Sequence, residues 1–223
     1  MAKRAVIVLL LAISLALAAW GCTPAAGPST TEPTPTVSSE FSILTGLSGS
    51  VTVLPTGSTV WTEAQVGMNL TSGDRLRTGA NSSALITFFE GSTIELESDT
   101  EVGIEELTTS LETQSTTISL EQTIGKTRSR VEKLIDPASR YEITTPSGSA
   151  VVRGTEFTVE VFLDGTTVVT VIEGSLLAVA RVKVVVHQKG GGVITTQIIE
   201  VPLSAGEQTT FSPSTPPSTT SSG

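Results

Sequence analysis

Cysteine is nearly absent: the chain has 223 residues and one cysteine, Cys22. Its folded part can therefore contain no disulfide framework and no cysteine-ligated metal site, so a hydrophobic core must hold it together. Histidine is equally scarce, with His187 alone. The chain has no Gly-x-Ser-x-Gly elbow and no phosphate-cradling glycine loop ahead of a helix. These gaps predict a protein that is not an enzyme and needs no metal or cofactor. Basic residues are few, 13 against 22 acidic ones, for a net charge of -9. Only Lys126, Arg128, Arg130 and Lys133 sit close together, and phosphate binding wants a concentrated basic face, so no nucleic-acid partner is expected.

What is present begins with a leader. Lys3 and Arg4 precede an apolar run that only Ser14 interrupts and that reaches Ala19. Gly21 and Pro24 end it short of the roughly 20 residues that cross a bilayer comfortably, so residues 1–21 are expected to be a signal peptide. Ala18-Ala19-Trp20-Gly21-Cys22-Thr23 resembles a lipobox. Small Gly21 fits the position before the cysteine, while Ala19 replaces the usual leucine and Trp20 is an unusual neighbour. The resemblance implies lipidation of Cys22 and an extracytoplasmic protein anchored to the cell membrane or outer membrane. Cleavage after Ala18, leaving Cys22 a free thiol, is the alternative.

Residues 22–40 and 212–223 are Pro/Ser/Thr tracts with almost nothing to bury. They are expected to be a spacer behind the lipid and a disordered tail. At ~3.1 Å per residue the spacer could hold the domain up to roughly 50 Å from the membrane.

Between the tracts, residues 41–211 are rich in Val, Thr, Ile and Leu, with turn residues every few positions. That pattern predicts one all-β domain of short strands, a β-sandwich or β-roll. Phe157, Val159 and Val161 alternate with Glu156, Thr158 and Glu160, and Asp164-Gly165 turns the chain before Thr166 to Ile172. A second hairpin is expected from Val182 to Val201, with Gly190 to Gly192 in its loop. Thr127 to Ile135 also fits one helical face but is read as strand. A Thr-led turn before a small-residue strand start recurs at Arg77–Leu85 and Thr144–Val151, and a duplication or chance would explain it.

The turns themselves resemble a known family. Trp61, Gly67, Leu70, Gly73-Asp74, Leu76, Thr78-Gly79, Ala84-Leu85, Phe88, Glu90-Gly91-Ser92, Ile94 and Leu96 resemble the opening of the FecR-type domain, known from the periplasmic part of the ferric-dicitrate regulator. The resemblance resumes at Thr144-Thr145-Pro146, Ala150 to Phe157, Val171 to Ser175 and Ala205-Gly206-Glu207. Val152-Arg153-Gly154-Thr155-Glu156-Phe157 carries its most specific part. The resemblance implies an all-β binding or sensory module at the cell envelope, facing a protein partner or an envelope polysaccharide. The alternative is a purely structural envelope or surface-layer protein. Sigma-factor regulators of the family carry a cytoplasmic segment and a transmembrane helix, where this chain has a signal peptide, so direct sigma-factor control is not expected.

Two charge features stand out. Glu95, Glu97, Asp99, Glu101 and Glu105 alternate with apolar residues, so a single strand would carry them as one acidic ladder. That ladder is read as a solvated face, with calcium binding the alternative. Arg153 is the candidate binding residue. It either pairs with Asp74 or Glu156 inside the domain or marks a ligand or partner surface. His187 is expected to face solvent on its hairpin.

Overall fold

The computed structural model describes residues 36–188, 191–213 and 215–221, with 181–188, 191–197 and 215–221 described by backbone alone. The leader and Cys22 lie outside the described residues. Among the described residues there are eighteen strands and no helix. They begin with β1 (Val37–Ser39), β2 (Ser42–Ser48), β3 (Val51–Leu54), β4 (Thr62–Glu63), β5 (Asn69–Leu70) and β6 (Arg75–Thr78). Next come β7 (Ser83–Thr87), β8 (Thr93–Leu96), β9 (Glu101–Ser110), β10 (Thr116–Arg130), β11 (Arg140–Thr144) and β12 (Gly148–Val152). The last six are β13 (Glu156–Val161), β14 (Thr167–Glu173), β15 (Ser175–Gln188), β16 (Gly191–Ser204), β17 (Glu207–Ser212) and β18 (Thr215–Ser221).

Hydrogen bonding arranges them in two sheets. One runs β4-β3-β6-β9-β10-β11-β12-β15-β16. The other runs β5-β2-β7-β8-β10-β13-β14-β17-β18. Strand β10 belongs to both: its first half pairs with β9 and β11, its second with β8 and β13. The two sheets are thus one hydrogen-bonded surface folded over, in keeping with the all-β fold of the sequence reading. Alternation explains the core between them. Val51, Leu76, Val102, Ile118, Tyr141 and Ala178 face inward from the first sheet and Leu44, Ile86, Ile94, Phe157, Val169 and Phe211 from the second, all at most 2% exposed. Tyr141 lies edge-on to both Phe88 (5.8 Å) and Phe157 (6.3 Å), so three of the few aromatics share the centre.

The passage of β10 between sheets is built from three residues. Gly125 has φ +88°, and a methyl group there would come within 2.4 Å of the Thr100 Cα and 2.7 Å of the Asp99 carbonyl oxygen. Only glycine fits that combination. Beside it, buried Gln122 donates to the Gly125 and Val159 carbonyls at 2.8 and 3.1 Å and accepts from the Thr127 hydroxyl at 2.8 Å. Residues 131–139 then return the chain to the first sheet, where β11 pairs parallel to the first half of β10. No helix forms over 127–135: β10 extends to Arg130 and the chain beyond is irregular.

Other expectations shift in register. The recurrence at Arg77–Leu85 and Thr144–Val151 is not structural, because the first segment crosses between sheets and the second turns back within one. A closer correspondence lies some 74 residues apart. The β7–β8 turn has Phe88 N–H donating to Ser92 O and Gly91 N–H to Phe88 O, at 2.8 and 3.0 Å; the β13–β14 turn repeats this with Phe162 to Thr166 and Gly165 to Phe162, at 2.8 and 2.9 Å. The expected second hairpin forms as β15–β16, with Gly191 and Gly192 paired to Gln188 and His187 instead of looping; Gly190 is outside the described residues. Residues expected to be unstructured also pair: Val37–Ser39 with the end of β9, and Thr215–Ser221 with β17. Pro216 and Pro217 are tolerated in β18 because it is an edge strand.

Gln122→Leu tests the clamp. It removes the three hydrogen bonds of a buried amide and leaves the Thr127 hydroxyl without its acceptor, so urea unfolding should show a loss of about 3 kcal/mol, where an exposed Gln→Leu change would show almost none.

Candidate functional site

The Val152–Phe157 segment is the crossing from β12 to β13, and each residue has a distinct place. Val152 and Phe157 are core residues. Gly154 has φ +119°, and a methyl group on it would come within 3.1 Å of the Lys133 Cα. The Thr155 hydroxyl donates to the Ser175 carbonyl at 2.5 Å, while the Thr155 carbonyl accepts from the Val131 N–H at 3.0 Å. Glu156 is 8% exposed and holds Arg128 and, at 2.9 Å, Arg130. The Arg128 hydrogen bond, helped by Arg130 and opposed by desolvation, keeps the Glu156 carboxyl below the ordinary carboxylate range.

Arg153 is the exception. It is exposed, and no ion pair to it forms among the described residues. Neither expected partner is available. Glu156 is committed to Arg128 and Arg130, and buried Asp74 accepts from the backbone N–H groups of Thr56 and Thr71, both at 2.8 Å. The reading of Arg153 as half of an internal ion pair is therefore corrected: alternation turns it outward between inward-facing Val152 and the Gly154 turn. The arginines that pair with Glu156 are Arg128 and Arg130, both exposed and spaced two apart on one strand so that one carboxylate serves both.

The acidic ladder is corrected as well. Glu95 lies on β8 of one sheet and Glu101 on β9 of the other, with Asp99 at φ +55° in the crossing between them, so no single strand carries the five carboxylates. Several are also paired. Glu97 meets Lys126 at 3.3 Å, and Glu101 meets Arg75 and Arg77 at 3.1 and 2.5 Å. Arg75 continues to Glu121 at 2.8 Å by passing over Gly103, which stands between them in the same cross-strand row. Arg77 also stacks over Trp61, 4.4 Å from the ring centroid. The side chain of His187 is outside the described residues, as is Cys22.

Beside Arg153, residues Val131 to Ile135 run past the tip of the β7–β8 hairpin, held by a 2.9 Å bond from the Glu132 N–H to the Ser92 hydroxyl. A groove of about 540 Å³ opens there, lined by Glu90, Gln114, Lys133, Leu134, Ile135 and other residues of the loop. Both carboxylate oxygens of Glu90 are buried and no donor reaches them at hydrogen-bond geometry. Burial, with a smaller push from the charge of Glu132, holds the Glu90 pKa above its usual value, although nearby Ser92 pulls the other way. In the sequence Glu90 stands out only as part of the Glu90-Gly91-Ser92 stretch that resembles the FecR-type domain. Its place directly after Phe88 and Phe89 was the available signal, since a carboxylate behind two core aromatics is apt to be covered.

Residues 74–177 match the family model described as FecR protein. The match spans β10, the Glu90 turn and the Arg153 crossing. Two crystal structures of a candidate anti-sigma factor from Parabacteroides distasonis resemble the chain, at 15% identity with TM-score 0.46 and at 14% with TM-score 0.47. Each alignment covers 66% of this chain and 59% of the other, so the chain spans less than two thirds of those proteins. No curated protein matches.

Two outcomes follow from this geometry. Arg153→Ala should melt within about 0.5 kcal/mol of the parent, as an exposed change does, whereas Glu156→Ala leaves two guanidinium groups facing each other and should lower Tm by about 3 °C. A carboxyl with a lowered pKa stabilises above its unfolded value and loses that as pH falls through the folded one, so the Glu156 difference should be full at pH 7 and vanish in acid. Glu90 has the opposite sign. Its raised pKa means that stability is present below the unfolded value and is lost as pH rises through the folded one, so Glu90→Gln should raise Tm at pH 7 and lose its advantage near pH 3, measured by calorimetry.

Proposed function

We propose that this chain, whose residues 74–177 match the FecR protein family, is a non-catalytic cell-envelope lipoprotein. Its β domain acts as a binding or sensory module for a protein partner or an envelope polymer. The observation that carries this reading is Arg153. Every neighbour in its segment is used by the scaffold, as core, turn or ion pair, and Arg153 alone is left exposed and unpaired among the described residues. An unshielded guanidinium beside a turn offers five donors to a carboxylate, carbonyl or anionic sugar. The groove past Ile135, 92% exposed, places an apolar surface close to it.

Extracytoplasmic location and lipid anchoring at Cys22 rest on the leader and the lipobox-like sequence. Such an anchor fixes the domain near one membrane surface, which suits a module that meets its partner there.

The reading is tested in the producing cell. Replacing Arg153 with a photo-crosslinking amino acid should give a discrete higher-mass adduct upon illumination, and Cys22→Ser should release the protein from the membrane fraction and abolish that adduct. Retention of Cys22→Ser through carbonate washing would overturn the lipid anchor. No adduct at position 153 in anchored protein would overturn the binding reading and favour a structural envelope role.

A further inference from the structure

The two ends of the second sheet have the same parts but differ in one respect. At the Arg130 end, β10 is flanked by the start of β8, just after the Phe88–Ser92 turn, and by the start of β13, just after the Arg153 crossing. Residues 131–135 leave β10 between them and fill the space. Val131 is 5% exposed and Leu134 packs against the core. At the Gly125 end, β10 is flanked by the end of β8, just before the Ser98–Thr100 crossing, and by the end of β13, just before the Phe162–Thr166 turn. There the chain swings away into the first sheet at Gly125, and no described segment takes the corresponding place.

What remains is a groove. One part, about 710 Å³, is walled by Ile124, Val161, Phe162 and Leu163; its continuation, about 620 Å³, shares Ser98, Gly125 and Val161 with it and is more polar. Phe162 is 45% and Leu163 92% exposed, an apolar pair that a monomer in water gains nothing by showing. Glu97, Asp99, Glu160 and Asp164 border the two parts against one cation, Lys126. Its occupant should therefore be extended, apolar and basic.

The same chain carries such a segment. Residues 174–199 include Arg181, Lys183, His187 and Lys189 and no Asp or Glu, in a chain whose net charge is -9, and they are dense in valine and isoleucine. Residues 181–188 and 191–198 form the far part of the β15–β16 hairpin, whose pairing runs to Gln188↔Gly191 although the support of β12 stops at Gly148↔Ala180. Beyond Ala180 the hairpin is a two-stranded ribbon with both edges unpaired among the described residues. Such a ribbon is marginal alone in water, and its bare edges favour pairing or cover. The eight residues from Arg181 to Gln188 span roughly 25 Å, enough to lie along the groove. Ribbon and groove also leave the molecule at one end. Gly148 follows the turn containing Pro146, and that turn lies against the Phe162–Thr166 tip, where a methyl group on Gly165 would come within 3.6 Å of the Pro146 Cβ.

We propose that the groove is an interface for a second copy of this chain, filled by the β15–β16 ribbon of that copy in a reciprocal exchange. With donor and acceptor at the same end, two copies can exchange ribbons about a two-fold axis, so the assembly closes as a dimer.

The experiment is the mass of the full chain, purified in mild detergent, by sedimentation from low to high micromolar concentration. The parent should be dimeric at the upper end. Leu163→Asp in the groove and Lys183→Glu in the ribbon should each weaken the dimer by about 30-fold, since each places a carboxylate against an acidic, partly apolar surface. Circular dichroism identical to the parent shows that each variant folds, and Val66→Asp, at an exposed position outside both groove and ribbon, is the control that should dimerise normally. Mixing the two weakened variants should recover part of the association, because one groove and one ribbon remain intact in the mixed pair. A parent that stays monomeric at every concentration overturns the proposal. So does a dimer indifferent to Leu163→Asp, or a mixture that recovers nothing. Because the readout is self-association, it is independent of whether an envelope partner binds at Arg153.

Discussion

The structure depends on one strand lying in two sheets. β10 can do so because Gly125 has no side chain to strike Thr100 and Asp99, and because Gln122 ties the Gly125 and Val159 carbonyls together from within the core. A buried amide with all of these partners satisfied specifies a single bend, whereas an apolar residue there would fill the space but make none of these bonds. From that bend follow the parallel pairing of β10 with β11, the return loop 131–139 and the closure of the sandwich around Tyr141.

The same bend makes the two ends of the second sheet different. Where the chain leaves β10 it covers the ground between a hairpin tip and a crossing; where it enters, it bends away and uncovers it. One end thus presents Arg153 beside the loop that covers it, and the other presents Phe162 and Leu163 beside an uncovered groove.

Much of this was legible in the sequence. Alternation at Phe157, Val159 and Val161 marked the core face, Asp164-Gly165 marked its turn, and the Val-rich run after Arg181 marked a hairpin, because period-two patterning and turn chemistry are local signals. Reading failed where the answer lay in which sheet a strand joins. Glu95 and Glu101 look like one ladder until the chain crosses at Asp99, whose left-handed backbone nothing in a Ser-Asp-Thr triplet announces. Arg153 looked like the buried partner of Glu156 because the two are neighbours in sequence. Only the register of β10 against β13 reveals Arg128 and Arg130 across the sheet, and that register is a long-range property.

Glu101 is neutralised by Arg75 and Arg77, and Glu156 by Arg128 and Arg130, so the large negative total does not sit evenly on the surface. It concentrates where acids outnumber bases, and the Gly125 end is such a place, with four carboxylates against Lys126. A potential of one sign over an open apolar cleft selects its occupant twice, through attraction at long range and through desolvation on contact. An acidic peptide would be repelled before the apolar walls could bind it, and a soluble cation alone would gain nothing from Phe162 and Leu163. Only a segment combining both properties satisfies the site, and the local interruption of charge at residues 174–199 puts such a segment on the chain itself.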